Sequence, residues 1–181
     1  MKKNIYKLSF AFLLAIVTMA FAQAQSWTKY QSAEMKFGML FPKSPAASEQ
    51  STPTALGNLT LHILLADMSQ DPSASNMLYM VNYSAFPDSV SSDRKDKLDA
   101  FFDGSVNGMA KNVNGKLLSS KNIEYKSFPG REVKVEIQGG IITAREFLIH
   151  NRLYIMMVIS ATGKDTNTDV TKFFDSFESE G

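Results

Sequence analysis

Cysteine is absent from this sequence of 181 residues, and histidine and tryptophan are scarce, with two residues and one residue respectively. The absence of cysteine excludes disulfides, thiol nucleophiles and metal sites with cysteine ligands. No charge of one sign predominates, because 19 basic and 18 acidic residues leave a formal net charge of +1. Strong electrostatic attraction to nucleic acid or to an anionic membrane is therefore not expected. The hydrophobic fraction of 44% is sufficient for a packed core and excludes a wholly disordered chain.

Long apolar runs are missing except near the N-terminus, where Phe10–Ala22 is interrupted by a single threonine. Three lysines precede this run, and Ala22-Gln23-Ala24 then places small residues at the two positions that a signal peptidase recognises. The pattern predicts a secretory signal peptide over residues 1–24 and one domain over residues 25–181. A membrane anchor is the alternative, but this run would form a helix of only about 20 Å, which is shorter than the roughly 30 Å hydrocarbon core.

Cleavage after Ala24 would leave 157 residues with 16 basic and 18 acidic side chains, hence a formal charge of −2. This length suits one domain that is held together by its hydrophobic core without disulfides. No cysteine follows the apolar run, which excludes a bacterial lipoprotein anchor. We therefore expect an exported, soluble protein, periplasmic or fully secreted, with no transmembrane segment after cleavage.

Hydrophobic periodicity predicts a chain made mainly of strands. Apolar residues alternate with the period of two that is typical of strands in five segments: Met35–Phe41, Leu59–Leu65, Tyr79–Tyr83, Arg131–Gln138 and Leu153–Ser160. Lys43–Thr54, rich in serine, alanine and proline, is interpreted as a loop or a poor edge strand. Apolar steps of three and four predict a helix over Ser91–Val113, and a second helix is predicted to start within Asp165–Thr168. This order indicates an α+β domain in which helices pack on an antiparallel sheet.

Two tight connections predict the pairing of the C-terminal strands. Gly139-Gly140 is interpreted as the two-residue turn of a hairpin that places Lys134 opposite Arg145. A second turn at His150-Asn151 leads into the last of these strands. The resulting register predicts one shared apolar face, formed by Val133, Val135, Ile137, Ile142, Ala144, Leu148, Leu153, Ile155, Met157 and Ile159.

A series of short segments matches a known family in order and spacing: Phe37-x-Met39-x-Phe41-Pro42, Tyr79-x-Val81-x-Tyr83-x-x-x-Pro87, Pro129-Gly130-Arg131-Glu132, and Arg145 followed by Asn151-Arg152-Leu153-Tyr154. On these segments the chain resembles the PsbP-like family, relatives of an extrinsic subunit of photosystem II, over Trp27–Phe177. The resemblance implies an antiparallel β-sheet sandwiched between helices, an α/β/α sandwich. It also implies an assembly or stabilising role without catalysis, and it carries over no metal ligand and no cofactor.

The candidate binding surface is a charged patch on the C-terminal strands, formed by Arg131, Glu132, Lys134, Arg145 and Arg152. One interpretation is a surface lined by guanidinium groups that holds a carboxylate or an acidic partner, because guanidinium binds carboxylate with paired hydrogen bonds. The other interpretation is a solvated strand face whose charges compensate one another, with each surface pair contributing about 0–1 kcal/mol. The sequence leaves both interpretations open.

No catalytic residue, metal ligand or cofactor is predicted. Neither His62 nor His150 has a carboxylate or a second histidine at the spacing of a helical zinc site, and no Gly-x-Ser-x-Gly motif occurs. Carboxylate pairs such as Asp99 and Asp103 lack the regular oxygen ligands and the glycine of a calcium-binding loop. A hydrolase with a site built on His62 or on a carboxylate pair is the alternative, since the fold can unite residues that are distant in sequence.

The sequence thus predicts an exported, non-catalytic binding or accessory domain. Its expected partner is an unidentified envelope protein or a small ligand, and not nucleic acid. A third interpretation is an accessory subunit of a larger envelope complex, which differs from a binding domain only in the size of the partner. This interpretation predicts an exposed apolar patch on the protein.

Overall fold

Strands dominate the fold, as the alternating pattern of the sequence predicts. The computed structural model describes residues 27–54 and 57–180, so the predicted signal peptide lies outside the described residues. Within this part of the chain, β1 (Thr28–Ser32) and β10 (Glu178–Ser179) flank β2 (Phe37–Phe41) in a three-stranded antiparallel sheet. The alternating residues Phe37, Met39 and Phe41 are all buried, as their spacing predicts.

The main sheet has seven strands, and each is antiparallel to its neighbours. From one edge to the other these are β3 (Ala46–Thr54), β4 (Gly57–Asp67), β5 (Leu78–Ala85), β9 (Arg152–Ala161), β8 (Gly140–Ile149), β7 (Phe128–Ile137) and β6 (Lys116–Tyr125). The segment interpreted as a loop or poor edge strand therefore contains the edge strand β3. The opposite edge is β6, which was not among the predicted strands.

One face of the main sheet is covered by helix α1 (Leu98–Asn112), which follows a 3-10 turn at Lys95–Lys97 and is shorter than the predicted Ser91–Val113. The buried side chains of α1 pack on the apolar face predicted for the C-terminal strands. All ten residues of that predicted face lie in the clusters beneath α1, so the prediction is confirmed. Burial of this apolar area is what holds α1 on the sheet.

The opposite face of the main sheet is covered by β2 together with helix α2 (Thr168–Asp175). Helix α2 begins within the predicted range, and the side chain of Asn167 caps it by accepting hydrogen bonds from the backbone N–H groups of Asp169 and Val170. The fold is therefore made of antiparallel sheets with two helices. The family resemblance implies a sheet sandwiched between two layers of helices. The structure shows this only in part, because the three-stranded sheet covers the second face together with α2. Neither helix among the described residues is long and apolar enough to cross a membrane.

The register predicted for the β7–β8 hairpin is wrong by two residues. Ile137 pairs with Gly140, so the two-residue turn is Gln138-Gly139, and Arg145 stands opposite Glu132 and not opposite Lys134. A Cβ atom on Gly140 would lie 2.7 Å from the carbonyl oxygen of Ser160, so this glycine belongs to the strand, where β9 passes too close for a side chain. Of the two adjacent glycines, only Gly139 has the positive φ, +79°, that the turn requires. The second turn, at His150-Asn151, is as predicted.

Candidate functional site

The five residues of the predicted charged patch do not form one surface. Side chains alternate between the faces of a strand, so Arg131 lies on the α1 face, whereas Glu132, Lys134 and Arg145 lie on the α2 face. Arg152 lies at the start of β9, is almost completely buried, and contacts the C-terminal segment. The structure therefore brings together three of the five residues.

Arg145 is the centre of the group on the α2 face. Its Nε donates to Glu132 Oε2 at 2.9 Å, and its Nη1 donates to Asp175 Oδ1 at 3.1 Å. The guanidinium carbon lies 5.0 Å from the centre of the Phe174 ring, at the distance of a cation–π contact. The Arg145 side chain is 30% exposed. The corrected hairpin register explains this arrangement, since it places Glu132 directly across from Arg145.

Lys134 forms a third ion pair on this face. Its ammonium group donates to Asp165, which precedes α2, and this hydrogen bond lowers the pKa of the Asp165 carboxyl below its ordinary value. Thr143 stands opposite Lys134 in the register, is buried, and has a hydroxyl oxygen with no hydrogen-bond partner within the described part of the chain. Two cations and their carboxylates thus converge where the segment before α2 meets β7 and β8.

These side chains line a cavity of about 140 Å³, which we call the α2 pocket. Its walls include Glu132, Lys134, Thr143, Arg145, Asp165 and Phe174. The pocket is small and bears both signs of charge, so it suits a polar group or the tip of a partner's side chain and not a large apolar ligand. Arg145 Nη2 has no protein partner among the described residues, which leaves one side of the guanidinium available to an acceptor.

Arg131 makes a matching arrangement on the other face. Its Nη2 lies 3.0 Å from Asp99 Oδ1 and 3.4 Å from Asp103 Oδ1, both on α1. Its guanidinium carbon lies 5.9 Å from the centre of the Phe102 ring, also on α1. Only 13% of the Arg131 side chain is exposed. The carboxylate pair Asp99 and Asp103, considered above as possible calcium ligands, is therefore bound to this arginine.

Glu146 is a buried carboxylic acid that the charged-patch prediction missed. The residue is 0% exposed beneath α1, and its Oε2 accepts a hydrogen bond of 2.6 Å from the Ser105 hydroxyl. Burial raises the pKa of Glu146 to about 7, although the Ser105 hydrogen bond and the positive charge of Arg131 act in the opposite direction. A signal was present in the sequence, because Glu146 lies between Ala144 and Leu148 on the predicted apolar face.

A groove runs between α1 and the β6–β7 hairpin beside Arg131, and we call it the α1 groove. Its volume is about 620 Å³, and its lining includes Leu98, Asp99, Phe102, Ile123, Pro129 and Arg131. A larger cleft of about 830 Å³ lies near the turn between β1 and β2, but none of the five predicted site residues lines it.

The two histidines serve local contacts in the described structure. His62 Nδ1 lies 3.0 Å from Glu49 Oε1 on the neighbouring edge strand, and its ring packs 5.5 Å from the ring of Tyr83. The ring of His150 lies 5.0 Å from that of Phe128. Residues 27–54 and 57–180 contain no group of three or more histidine or acidic side chains placed to hold a metal ion.

A solved structure from a cyanobacterium shares the fold of this chain at very low sequence identity. The chain is similar to cyanobacterial PsbP (CyanoP) from Synechocystis sp. PCC 6803, with a TM-score of 0.59 and 9% identity over 91% of this chain and 99% of that chain. A protein from Bacteroides thetaiotaomicron gives a TM-score of 0.44 at 11% identity, over 87% of this chain and 49% of that chain. No protein-family model and no curated protein matches the sequence significantly. The likeness to CyanoP supports a PsbP-like fold, and a shared fold does not by itself assign a function.

Proposed function

We propose that this protein is an exported, non-catalytic binding or accessory domain of the cell envelope, which holds a protein partner or a small ligand at the α2 pocket. The observation that carries the proposal is the convergence of Glu132, Lys134 and Arg145 on one pocket, with Arg145 Nη2 left without a protein partner. Export is inferred from the N-terminal sequence pattern, and membership of the PsbP-like family from the segment order and the shared fold.

The surroundings of Arg145 prepare its guanidinium for binding. Glu132 and Asp175 hold two of the three nitrogens, and the Phe174 ring supports the guanidinium plane, so little rotational freedom remains to be lost when a ligand arrives. The third nitrogen can then donate to a carboxylate, a carbonyl or a phosphate oxygen of the partner. Because nearby carboxylates offset the positive charge, the pocket selects by hydrogen-bond geometry more than by net charge.

The alternative of a hydrolase built on His62 or a carboxylate pair has less support. His62 is engaged with Glu49 and Tyr83, and the pair Asp99 and Asp103 is bound to Arg131. Catalysis at either place would require the residue to leave its present partner. The contacts of the α2 pocket are better suited to recognition.

The test is cross-linked co-purification of tagged protein from the envelope of the source cells, with wild type, Arg145→Met and Arg131→Met compared. Arg131 is the matched control because it also binds two carboxylates and lies over a phenylalanine ring, but on the other face. A partner recovered with wild type and Arg131→Met but lost with Arg145→Met supports the proposal. Equal recovery with all three proteins refutes the α2 pocket as the binding surface.

A further inference from the structure

Glu146 is held in surroundings that oppose its charge. Its side chain lies between the main sheet and α1 with 0% exposure, Oε2 accepts from Ser105, and Oε1 has no hydrogen-bond partner within the described residues. On the β9 side its register partner is the apolar Ile155. An ionised carboxylate there lacks both water and a full set of donors, so the proton is retained well above the ordinary range of glutamate.

Arg131 is the cation that faces this carboxyl group. The two residues are direct register partners on β7 and β8, so their side chains leave the sheet on the same face. The Arg131 guanidinium is bound to Asp99 and Asp103 of α1. One guanidinium is therefore shared between two carboxylates on the helix and one carboxyl group beneath it.

We propose that Arg131 and Glu146 form a pH-sensitive latch on α1. While Glu146 is protonated, Arg131 holds Asp99 and Asp103 and keeps the first half of α1 on the sheet. When Glu146 loses its proton, the buried carboxylate draws the guanidinium towards itself, and Asp99 and Asp103 lose their partner. The first turns of α1 then loosen, because those two carboxylates are their ionic link to β7.

The latch controls access to the α1 groove. Asp99, Phe102 and Arg131 all line that groove, so movement of the guanidinium and of the first turns of α1 changes its width. Neutral and slightly alkaline conditions open the groove, whereas mildly acidic conditions close it. The latch lies on the face opposite to the α2 pocket, so its failure would leave the proposed function untouched.

Hydrogen–deuterium exchange of the α1 peptides tests the latch directly. Wild type, Glu146→Gln and the control Glu132→Gln are compared at pH 6 and pH 8, after correction for the intrinsic pH dependence of exchange. Between pH 6 and pH 8 we expect the protection of residues 98–105 to fall about tenfold in wild type and in Glu132→Gln. The reason is that opening of α1 is coupled to the release of one proton from Glu146. Glu146→Gln should show equal protection at both pH values. The latch is wrong if protection in wild type or in Glu132→Gln does not change with pH. It is also wrong if Glu146→Gln responds to pH as wild type does.

A measurement on wild type alone covers the case in which Glu146→Gln does not fold. In NMR spectra, the carboxyl carbon of Glu146 and the Nε–H group of Arg131 should titrate with one shared midpoint. If the Arg131 signal stays constant while Glu146 titrates, Arg131 does not exchange Asp99 and Asp103 for Glu146, and the latch is wrong. A Glu146 signal that titrates in the ordinary range of glutamate overturns it as well.

Discussion

Arg131 on β7 and Arg145 on β8 are equivalent clamps on opposite faces of the main sheet. Each guanidinium contacts two carboxylates, and each lies over a phenylalanine ring of the helix on its own face, Phe102 for Arg131 and Phe174 for Arg145. Both arginines therefore join a helix to the sheet. They differ in exposure, because the Arg145 side chain is 30% exposed and that of Arg131 only 13%. The greater exposure of Arg145 adds to the case for binding at the α2 pocket, which rests on the convergence of Glu132, Lys134 and Arg145 there.

Removal of either clamp should cost a similar, modest amount of stability. For Arg145→Met and for Arg131→Met we expect the free energy of unfolding to fall by about 1–2 kcal/mol, because hydrogen bonds between charged groups are lost while the aliphatic part of the side chain is kept. Urea unfolding measures this change, and the m-value should stay constant. A loss several times larger for one variant than for the other would show that the two arginines are not matched controls.

The stability of the protein should decrease as the pH rises through the titration of Glu146. Its pKa in the folded protein is raised from 4.5 to about 7, so the folded state holds a proton that the unfolded state releases between these values. The contribution of Glu146 to stability is greatest below its unfolded pKa and falls as the pH rises to its folded pKa, by a total of about 3 kcal/mol. Urea unfolding at pH 5 and pH 8 measures the loss.

Glu146→Gln is the corresponding variant, since it keeps the shape of the side chain without the ionisable group. We expect its stability to change less than that of wild type between pH 5 and pH 8, and to exceed that of wild type at pH 8. Parallel pH profiles for the two proteins would show that the buried carboxyl group does not contribute to the pH dependence.

Two glycine substitutions should have opposite effects on stability. A Cβ atom at Gly130 would lie 2.3 Å from the backbone oxygen of Glu146 and 2.4 Å from the Phe147 ring, so Gly130→Ala should destabilise by about 3 kcal/mol. Gly104 lies within α1, where nothing stands within 4 Å of an added Cβ, and Gly104→Ala should stabilise by up to about 1 kcal/mol. Thermal melting of both variants measures the difference. A stabilised Gly130→Ala protein would contradict the close approach of β7 and β8.

The sequence pattern predicts the α1-facing core correctly because β7 alternates apolar residues with charged residues that are not buried, and the pairing of the strands continues this face across β8 and β9. It misses β6, since this edge strand is mostly exposed and a bulge between Leu117 and Ser119 interrupts its alternation. The turn between β7 and β8 is ambiguous from sequence, because two adjacent glycines both permit a tight turn. Only the approach of β9 to Gly140 decides between them.

The ambiguity of this turn also limits how well the contacts of the candidate site can be predicted from the sequence. A two-residue error in register exchanges the partner of Arg145 while keeping every side chain on its correct face. The apolar face was therefore predicted correctly, whereas the ion pair between Arg145 and Glu132 was not. Asp165 and Asp175 join the site through the position of α2, which is a tertiary contact that no local pattern encodes.

Site-specific photo-crosslinking in intact cells tests the central claim, which is that the α2 pocket is the binding surface. A photoreactive amino acid is placed at Thr171, which is exposed and lines the α2 pocket, and in a control protein at the exposed Lys111 on α1. We expect a discrete adduct from position 171, absent from position 111 and reduced when Arg145→Met is combined with the Thr171 probe. The same adducts from both positions, or none from position 171, would contradict the assignment of binding to this pocket.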